Sequence, residues 1–349
     1  MSKQRKAVSL ISGGLDSMLA TKVIQDQGIH VEGINFYTGF CVEGHTHAIR
    51  KKDKEKQKKN SSLWVAEQLG IKLHIIDISE EYKDIVLNPK HGYGQNLNPC
   101  LDCKIDMVSR AWQWCMDNDF DFVITGEVVG QRPKSQRKET MPIIARESKI
   151  EDRLLRPLCA KQLVETLPER EGWVNRDALF DFHGRNRKPQ LALAKELGFD
   201  EWSQPAGGCC FLTDESYSNK LQDMWDARGE RNYEVDDIML LKVGRHIRPA
   251  KHYKLIVSRE QGENNFMRGY RPMYSYLYPT SHGGPLTLID GTPTEEDIQT
   301  AARVVARFSQ GRNADEVVVN YVAKHNEGEQ ELKVKPMPVE EIPDDWYIH

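Results

Sequence analysis

The sequence lacks long apolar stretches, and none reaches the roughly 18 residues that cross a bilayer. The apolar run after residues 1–6 is too short for a secretory signal, and no cleavage site follows it. An excess of basic charge is also missing, because the net charge of the 349 residues is −4. Any attraction to nucleic acid must therefore come from local patches. We expect a cytosolic protein that does not contact a membrane.

An even set of cysteines is missing as well, since the chain has seven. In a long chain without an export signal, this number disfavours a disulfide framework and favours metal binding or thiol chemistry. Hydrophobic residues make up 39% of the sequence, which is enough for a sizeable core. The length predicts two or three domains.

Short apolar runs alternate with helical patterns over the first third of the chain. The predicted strands are 6–11, 30–36, 73–78 and 120–125, and the predicted helices are 16–26, 62–69 and 105–115. Such alternation implies a parallel sheet covered by helices on both faces. Ligands bind to sheets of this kind at the carboxyl ends of the strands.

The rest of the chain predicts a helical extension and then a separate α+β unit. Helices are expected at 177–182, 188–197, 214–231 and 294–310, and strands at 237–243, 254–257, 286–289 and 316–321. Thr294, followed three residues later by Asp297, is a good helix start signal. We expect a first domain over 1–215, whose part 150–215 is mainly helical, a linker over 216–232, and an α+β domain with a polar tail over 233–349.

The hexapeptide Ser12-Gly13-Gly14-Leu15-Asp16-Ser17 lies between a predicted strand and a predicted helix. Its glycines allow a tight turn close to phosphate oxygens, and the helix N-terminus favours an anion. Ser12 and Ser17 add hydroxyl donors, and Asp16 can hold a Mg²⁺ that bridges phosphates. The segment has neither the lysine of the Gly-Lys-Ser/Thr loop nor the third glycine of the dinucleotide fingerprint. An ordinary strand-to-helix turn is the alternative.

Two cysteine segments stand beside predicted loops. Cys100 and Cys103 form a Cys-x-x-Cys pair at a helix N-terminus, where the helix dipole favours a thiolate nucleophile or ligand. Cys209 and Cys210 follow a loop rich in proline and glycine. A structural zinc site is the competing interpretation, but two vicinal cysteines are poor tetrahedral ligands.

The three remaining cysteines have a different pattern. Cys115 lies in an apolar helix and Cys159 follows an apolar segment, so both are predicted to be packing residues. The role of Cys41 stays open.

The hexapeptide resembles the signature of the PP-loop ATP pyrophosphatases. The resemblance implies a Rossmann-like sheet of the adenine-nucleotide α-hydrolase (HUP) type, cleavage of ATP between its α- and β-phosphates, and formation of an adenylate. It also implies that the loop holds pyrophosphate and that adenine lies near residues 35–37. The candidate ATP-binding residues are Ser12, Gly13, Gly14, Asp16, Ser17, Phe36 and Gly126, although Phe36 is equally explained as a core residue.

The cysteine segments narrow the resemblance to the ATP-dependent tRNA uridine sulfurtransferases. Residues 98–103 and 208–211 are similar to the cysteine segments of the 2-thiouridylases, and 125–131 and 155–158 are similar to segments of the 4-thiouridine synthetases. The resemblance implies that a tRNA uridine carbonyl is adenylated and then thiolated, with Cys103, Cys210 and Asp16 as catalytic residues. A sulfur donor, either sulfide or a persulfide carrier, is a further expected partner.

The extra Cys100 predicts a metal cofactor. Together with Cys103 and Cys210 it supplies three thiolates, which can hold a [4Fe–4S] cluster whose open iron binds sulfide. Cys209 is the fallback ligand. The competing mechanism needs no cluster: one cysteine carries a persulfide and the other resolves it. An ATP pyrophosphatase acting on a small molecule and a non-catalytic RNA-binding protein are the alternative functions.

Basic residues provide candidate RNA contacts. The predicted set after the fourth strand is Arg132, Lys134, Arg137 and Lys138, with Arg187 and Lys188 further along the chain. The basic run 50–59 either follows a phosphate backbone or forms a solvated helix face. Residues 241–248 resemble an RNA-binding module of ribosome-quality-control factors.

Overall fold

A computed structural model describes residues 4–42, 62–202, 210–326 and 328–349. The basic run 50–59 and Cys209 lie outside the described residues. The described chain divides into two compact units between Cys210 and Phe211. The domain limits drawn from the sequence, with a first domain ending at 215, stay predictions.

The first unit is built on a parallel sheet. Its strands are β1 (Lys6–Leu10), β2 (His30–Tyr37), β3 (Leu73–Asp77), β4 (Phe122–Ile124) and β5 (Leu154–Leu155). Their order is β3-β2-β1-β4-β5, and every neighbouring pair is parallel. The predicted parallel sheet is confirmed. β5 was not predicted, because two residues are too short to form a recognisable pattern.

Seven α-helices of the described residues belong to the first unit. They are α1 (Leu15–Gln25), α2 (Ser62–Leu69), α3 (Tyr82–Leu87), α4 (Cys100–Asp117), α5 (Thr140–Glu147), α6 (Leu167–Arg170) and α7 (Lys188–Glu196). The helix predicted over 177–182 is wrong. A short 3₁₀ turn at Arg176–Ala178, capped by the Asn175 side chain, ends in the extended Leu179.

The core of the first unit lies between the central strands and two helices. Ala7 of β1 and Phe122 of β4 are completely buried, and they share one apolar cluster with Leu19 of α1 and Leu193 of α7. Burial of this apolar surface fixes α1 against the sheet. The loop between β1 and α1 is therefore held at the carboxyl edge of the sheet.

The second unit contains an antiparallel sheet and four described helices. The strands are β6 (Arg245–Ala250), β7 (Tyr253–Val257), β8 (Ser275–Pro279), β9 (Thr287–Gly291), β10 (Val317–Val322) and β11 (Glu329–Val334), in the order β11-β10-β8-β9-β7-β6. The helices are α8 (Glu215–Arg228), α9 (Val235–Leu240), α10 (Gln261–Met267) and α11 (Glu295–Arg307). The buried face of α11 packs on the sheet, with Ala302 and Val305 fully buried beside Leu255. The predicted α+β domain is confirmed.

The strand predicted over 237–243 is wrong, because residues 237–240 belong to α9 and residues 241–243 form the turn after it. Glu234 and Asp237 make a reciprocal capping box, in which each side chain accepts from the backbone N–H of the other residue. Ile238 and Leu241, which are three positions apart as on one face of a helix, are both buried. The cap starts a helix in an apolar run that resembles a strand.

Within the part of the chain that the structure describes, none of the helices combines the length and the apolar character needed to cross a membrane.

Candidate nucleotide and thiol site

The predicted phosphate loop is a tight turn between β1 and α1. Gly13 adopts a positive φ of 71°, which glycine reaches without strain. Gly14 is the N-cap of α1, and the Ser17 hydroxyl donates to its carbonyl at 2.8 Å. The Ser12 N–H donates to Ser17 Oγ at 3.4 Å. The loop thus presents the N-terminus of an eleven-residue helix at the carboxyl edge of the sheet, where an anion is favoured.

Gly126, after β4, lies directly against this loop. A Cβ atom at residue 126 would come within 2.4 Å of the Asp16 carbonyl carbon and 2.5 Å of the Ser17 nitrogen. Both neighbours are backbone atoms of α1, so they cannot move without displacing the helix. Glycine is therefore required here for the close approach of the two segments.

Asp16 begins a chain of hydrogen bonds that runs through Gln131 to Gln190. Gln131 Nε2 donates to Asp16 Oδ2 at 2.6 Å, and Gln190 Nε2 donates to Gln131 Oε1 at 3.0 Å. Arg187 Nη2 lies 3.5 Å from the other carboxylate oxygen, Asp16 Oδ1. Residues from α1, from the segment after β4 and from the start of α7 thus meet at one point.

Three buried polar atoms of this group have no hydrogen-bond partner among the described residues. They are Asp16 Oδ1, Arg187 Nε and Gln190 Oε1. Buried polar atoms are normally paired, and an exception calls for a ligand, an ion or water. We call Asp16, Gln131, Arg187 and Gln190 the polar cluster. A carboxylate oxygen that accepts no hydrogen bond is a suitable Mg²⁺ ligand, and a guanidinium N–H that donates none is a suitable phosphate donor.

Sequence reasoning missed part of the polar cluster. Gln131 lies in the segment 125–131 that resembles the 4-thiouridine synthetases, but it was given no role, and Gln190 carries no local signal, because glutamine is common on helices and loops. Arg187 was noticed only as a candidate RNA contact. The structure places its guanidinium beside the phosphate loop.

A buried ion-pair network connects the end of β4 with α4. Glu127 accepts from Arg156 Nε at 3.0 Å and from the Thr125 hydroxyl at 2.9 Å, and Lys104 Nζ lies 4.0 Å from its other oxygen. Burial alone would raise the pKa of Glu127, but the Lys104 and Arg156 cations and the hydrogen bonds outweigh it and lower the pKa. Glu127 therefore stays a carboxylate. It ties Gly126, at the phosphate loop, to the helix that carries the cysteine pair.

The cysteine pair occupies the first turn of α4. Cys100 is the first residue of the helix, and its thiol donates to Ser135 Oγ at 3.3 Å. Cys103, one turn later, has its Sγ 4.0 Å from Met107 Sδ and is also hydrogen-bonded to the Tyr82 hydroxyl. The two sulfur atoms therefore have different partners.

The phenol of Tyr82 interacts with several cysteine thiols. It is 1% exposed. Burial raises the pKa of its phenol well above the usual range, and the thiols of Cys103, Cys210 and Cys41 raise the pKa further. Tyr82 thus remains a neutral hydroxyl whose ionisation is opposed by three cysteine thiols. We call Cys41, Cys103 and Cys210, together with Tyr82, the thiol cluster.

Cys41 was the one cysteine whose role stayed open from the sequence. The structure pairs its backbone with Cys210 in an antiparallel bridge. Its Sγ lies 3.4 Å from Thr38 Oγ1 and 3.8 Å from the Phe36 carbonyl. No local pattern indicates this pairing, since 168 intervening positions, 42 to 209, separate the two cysteines.

The predicted [4Fe–4S] cluster is not confirmed. Among residues 4–42, 62–202, 210–326 and 328–349, no group of three His, Cys, Asp or Glu side chains is arranged to hold a metal ion. The Cys100 thiol donates to Ser135, whereas Cys103 faces Tyr82 and Met107. As placed, the three predicted cysteine ligands do not form one ligand set.

Cys115 and Cys159 are packing residues, as predicted. Both are completely buried, and their thiols donate to the carbonyls of Phe122 and Glu127 at 3.7 and 3.2 Å. Burial raises the pKa of each thiol to about 12.

The other predicted contacts lie in varied surroundings. Phe36 is 5% exposed within β2. Lys134 Nζ donates to the carbonyl of Tyr93, so this amine is used inside the first unit. Arg132, Arg137, Lys138 and Lys188 are exposed. Nucleotide or RNA contacts by these residues stay predictions.

Two family models match separate parts of the chain. Residues 5–167 match the tRNA methyl transferase HUP domain, and residues 244–347 match the NFACT protein RNA binding domain. The first match confirms the predicted HUP-type fold of the parallel-sheet unit. The second covers most of the antiparallel-sheet unit.

Curated relatives include tRNA-specific 2-thiouridylases named MnmA. The protein of Malacoplasma penetrans is 25% identical over 246 residues, which are 66% of this chain and 63% of that protein. The protein of Campylobacter curvus is 31% identical over 128 residues, 36% of this chain and 35% of that one. The chain thus spans less than two thirds of the length of these relatives.

Solved structures with likeness to the chain include a 4-thiouridine synthetase–RNA complex with bound ATP. The two sequences are 21% identical, and the match covers 60% of this chain and 45% of the synthetase chain, with a TM-score of 0.39.

The sequence matches show that the chain carries a HUP-type domain that resembles the ATP-dependent tRNA uridine sulfurtransferases, followed by a region that matches the NFACT RNA binding domain.

Proposed function

We propose that the protein thiolates a uridine of tRNA in an ATP-dependent reaction. The observation that carries the proposal is the meeting of two sites at one sheet edge. The phosphate loop follows β1, Cys41 follows β2, Tyr82 and Cys103 follow β3, and Gly126 follows β4. The Lys104–Glu127 contact links the cysteine helix to the segment that touches the loop.

The first step is activation of the uracil carbonyl. The carbonyl oxygen attacks the α-phosphorus of ATP, pyrophosphate leaves, and the oxygen becomes part of an AMP ester that departs readily. The helix N-terminus at Gly14 and the Arg187 guanidinium stabilise the charge that develops on pyrophosphate. Asp16 would hold Mg²⁺, which when bound neutralises phosphate charge. The target base must leave any stack to reach this pocket.

The second step is sulfur transfer. One of Cys103 and Cys210 carries a persulfide, whose terminal sulfur attacks the activated carbon and expels AMP. The other thiolate then attacks the cysteine sulfur of the resulting disulfide link. This releases the thiocarbonyl of the product and leaves a Cys103–Cys210 disulfide, which an external dithiol must reduce. Tyr82, as a neutral phenol, can donate a hydrogen bond to the Cys103 thiolate.

A three-cysteine iron–sulfur site is the second sulfur route. It would require Cys100 to leave Ser135 and turn toward Cys103. Anaerobic purification followed by iron and sulfide analysis distinguishes the routes. A brown protein that loses iron in the Cys100→Ser variant favours the cluster, and an active iron-free protein favours the persulfide.

tRNA is the proposed partner of both units. The match of residues 244–347 to an RNA binding domain supports a role for the second unit in holding tRNA. The exposed Arg132, Arg137 and Lys138 follow the carboxyl end of β4 and can contact phosphates near the active site. The sulfur donor is sulfide or a persulfide carrier.

The test is thiolation in vitro with ATP, tRNA and a sulfur donor, read by nucleoside mass spectrometry. We expect a thiouridine from the wild type and a loss of at least about a hundredfold in Cys103→Ser, because removal of a covalent catalyst leaves only binding effects. Cys115→Ser, which removes a core thiol, is the matched control. Normal thiolation by Cys103→Ser would contradict the mechanism. Pyrophosphate release that requires a small molecule and does not depend on tRNA would favour an ATP pyrophosphatase acting on a small molecule.

A further inference from the structure

Cys41 and Cys210 are brought together by the backbone. They face each other in an antiparallel bridge. Residues paired in this way have Cα atoms about 4.5–5.5 Å apart and side chains on the same face. A disulfide needs a Cα separation of about 4.4–6.8 Å. The bridge therefore holds two thiols at a separation suitable for a covalent bond.

The turn that carries Cys41 is fixed by local contacts. Gly39 adopts a positive φ of 79°, and the Phe40 N–H donates to Thr38 Oγ1 at 3.3 Å. Phe40 is completely buried and contacts the Tyr82 ring, with ring centroids 6.3 Å apart. The turn therefore places Cys41 next to a buried ring that contacts Tyr82, to whose hydroxyl Cys103 is hydrogen-bonded.

We propose that Cys41 is a third redox thiol of the site, which exchanges with Cys210 and so regenerates Cys103. The proposal rests on the proposed function, because sulfur transfer is what produces the Cys103–Cys210 disulfide. Nothing in the cysteine spacing of the sequence pairs Cys41 with this site.

The exchange is balanced without a further oxidant. The Cys41 thiolate attacks Cys210 Sγ, the Cys103–Cys210 bond breaks, and Cys103 leaves as a thiolate that takes up the proton released by Cys41. The product is a Cys41–Cys210 disulfide and a reduced Cys103. An external dithiol then reduces this disulfide and is itself oxidised by two electrons. Cys103 is thereby regenerated before the external dithiol acts, and the dithiol reduces only the Cys41–Cys210 disulfide.

The pairing is tested first by disulfide mapping. Purified Cys103→Ser protein is treated with one equivalent of diamide, alkylated, digested and analysed by mass spectrometry. We expect a Cys41–Cys210 cross-link as the main product. A Cys210 that pairs with Cys209 or Cys100, or with no cysteine, would overturn the proposal. This measurement uses neither ATP nor tRNA, so its result is independent of the proposed reaction.

The role is tested by turnover with Cys41→Ser, whose hydroxyl can keep the contact with Thr38. With pre-loaded persulfide, the first turnover should match the wild type. Repeated turnover with limiting dithiothreitol should slow by about tenfold, because Cys103 must then be reduced directly. Cys115→Ser should leave both rates unchanged. Equal repeated turnover by Cys41→Ser and wild type would overturn the exchange. A protein that forms the Cys41–Cys210 cross-link but never thiolates tRNA would refute the proposed function and leave only the pairing of these two thiols.

Discussion

The core of the parallel sheet and its carboxyl edge contain the same side chain, cysteine, in opposite environments. Cys115 and Cys159 are fully enclosed and donate to backbone carbonyls. Cys41, Cys100, Cys103 and Cys210 are partly exposed. The edge also contains the polar atoms of Asp16, Arg187 and Gln190 that make no hydrogen bond to another described residue. The comparison teaches that position at the sheet edge, rather than residue type, marks the groups available for chemistry.

The largest expected effect is in thiol alkylation. At pH 8 a thiol with a pKa of about 12 is ionised in only about one molecule in 10⁴, so Cys115 and Cys159 should react with iodoacetamide at least about 10³ times more slowly than an ordinary exposed cysteine. Peptide mass spectrometry over time gives the order of labelling. Early labelling of Cys115 in the folded protein would contradict the prediction that core cysteines react more slowly than cysteines at the sheet edge.

The next effect concerns stability. Glu127→Gln leaves Arg156 buried without its counter-ion, which should lower the free energy of unfolding by about 3–5 kcal/mol. Chemical denaturation at pH 7 measures this loss. Thr125→Val, which removes only the hydroxyl partner of Glu127, is the matched control and should cost about 1–2 kcal/mol.

The same pair predicts a pH dependence. The pKa of Glu127 is lower in the folded protein than its usual 4.5. Its stabilising contribution is therefore complete above pH 4.5 and is lost as the pH falls through the folded pKa. The stability difference between wild type and Glu127→Gln should shrink below pH 4.5. A difference that grows in acid would contradict the assignment of Glu127 as a paired carboxylate.

The smallest effect is in nucleotide affinity. Arg187→Gln should raise the KM for ATP by about tenfold, since one charge-assisted hydrogen bond to phosphate is worth about 1.5–3 kcal/mol. Arg185→Gln, an exposed neighbour two residues away, is the control and should change KM little. If both variants lose tRNA affinity and keep the KM for ATP, Arg187 is an RNA contact, as the sequence first indicated.

Local signals made part of the site predictable. The hexapeptide from Ser12 to Ser17 combines glycines, hydroxyls and a carboxylate between a strand and a helix, so its conformation follows from neighbouring residues. The Cys100–Cys103 pair is local in the same sense. The strand pattern likewise identified four of the five strands of the parallel sheet, because each is an apolar run with clear ends.

The remaining features depend on tertiary contacts. The pairing of Cys41 with Cys210 and the contact of Arg187 with Asp16 join residues far apart in sequence. The error over 237–243 has another cause: an apolar run fits both a strand and a helix, and the cap formed by Glu234 decided between them. Whether such a run becomes a helix or a strand depends on side-chain hydrogen bonds, which a hydrophobic pattern does not reveal.

The central claim is that the nucleotide loop and the thiols act on the same uridine. It is tested most directly by incubating Cys103→Ser with α-labelled ATP and tRNA and measuring AMP bound to the tRNA. Without a sulfur donor, we expect the variant to release pyrophosphate and accumulate adenylated tRNA, whereas the wild type supplied with a sulfur donor releases AMP and forms thiouridine. Pyrophosphate release without AMP on the tRNA, in both proteins, would contradict the claim.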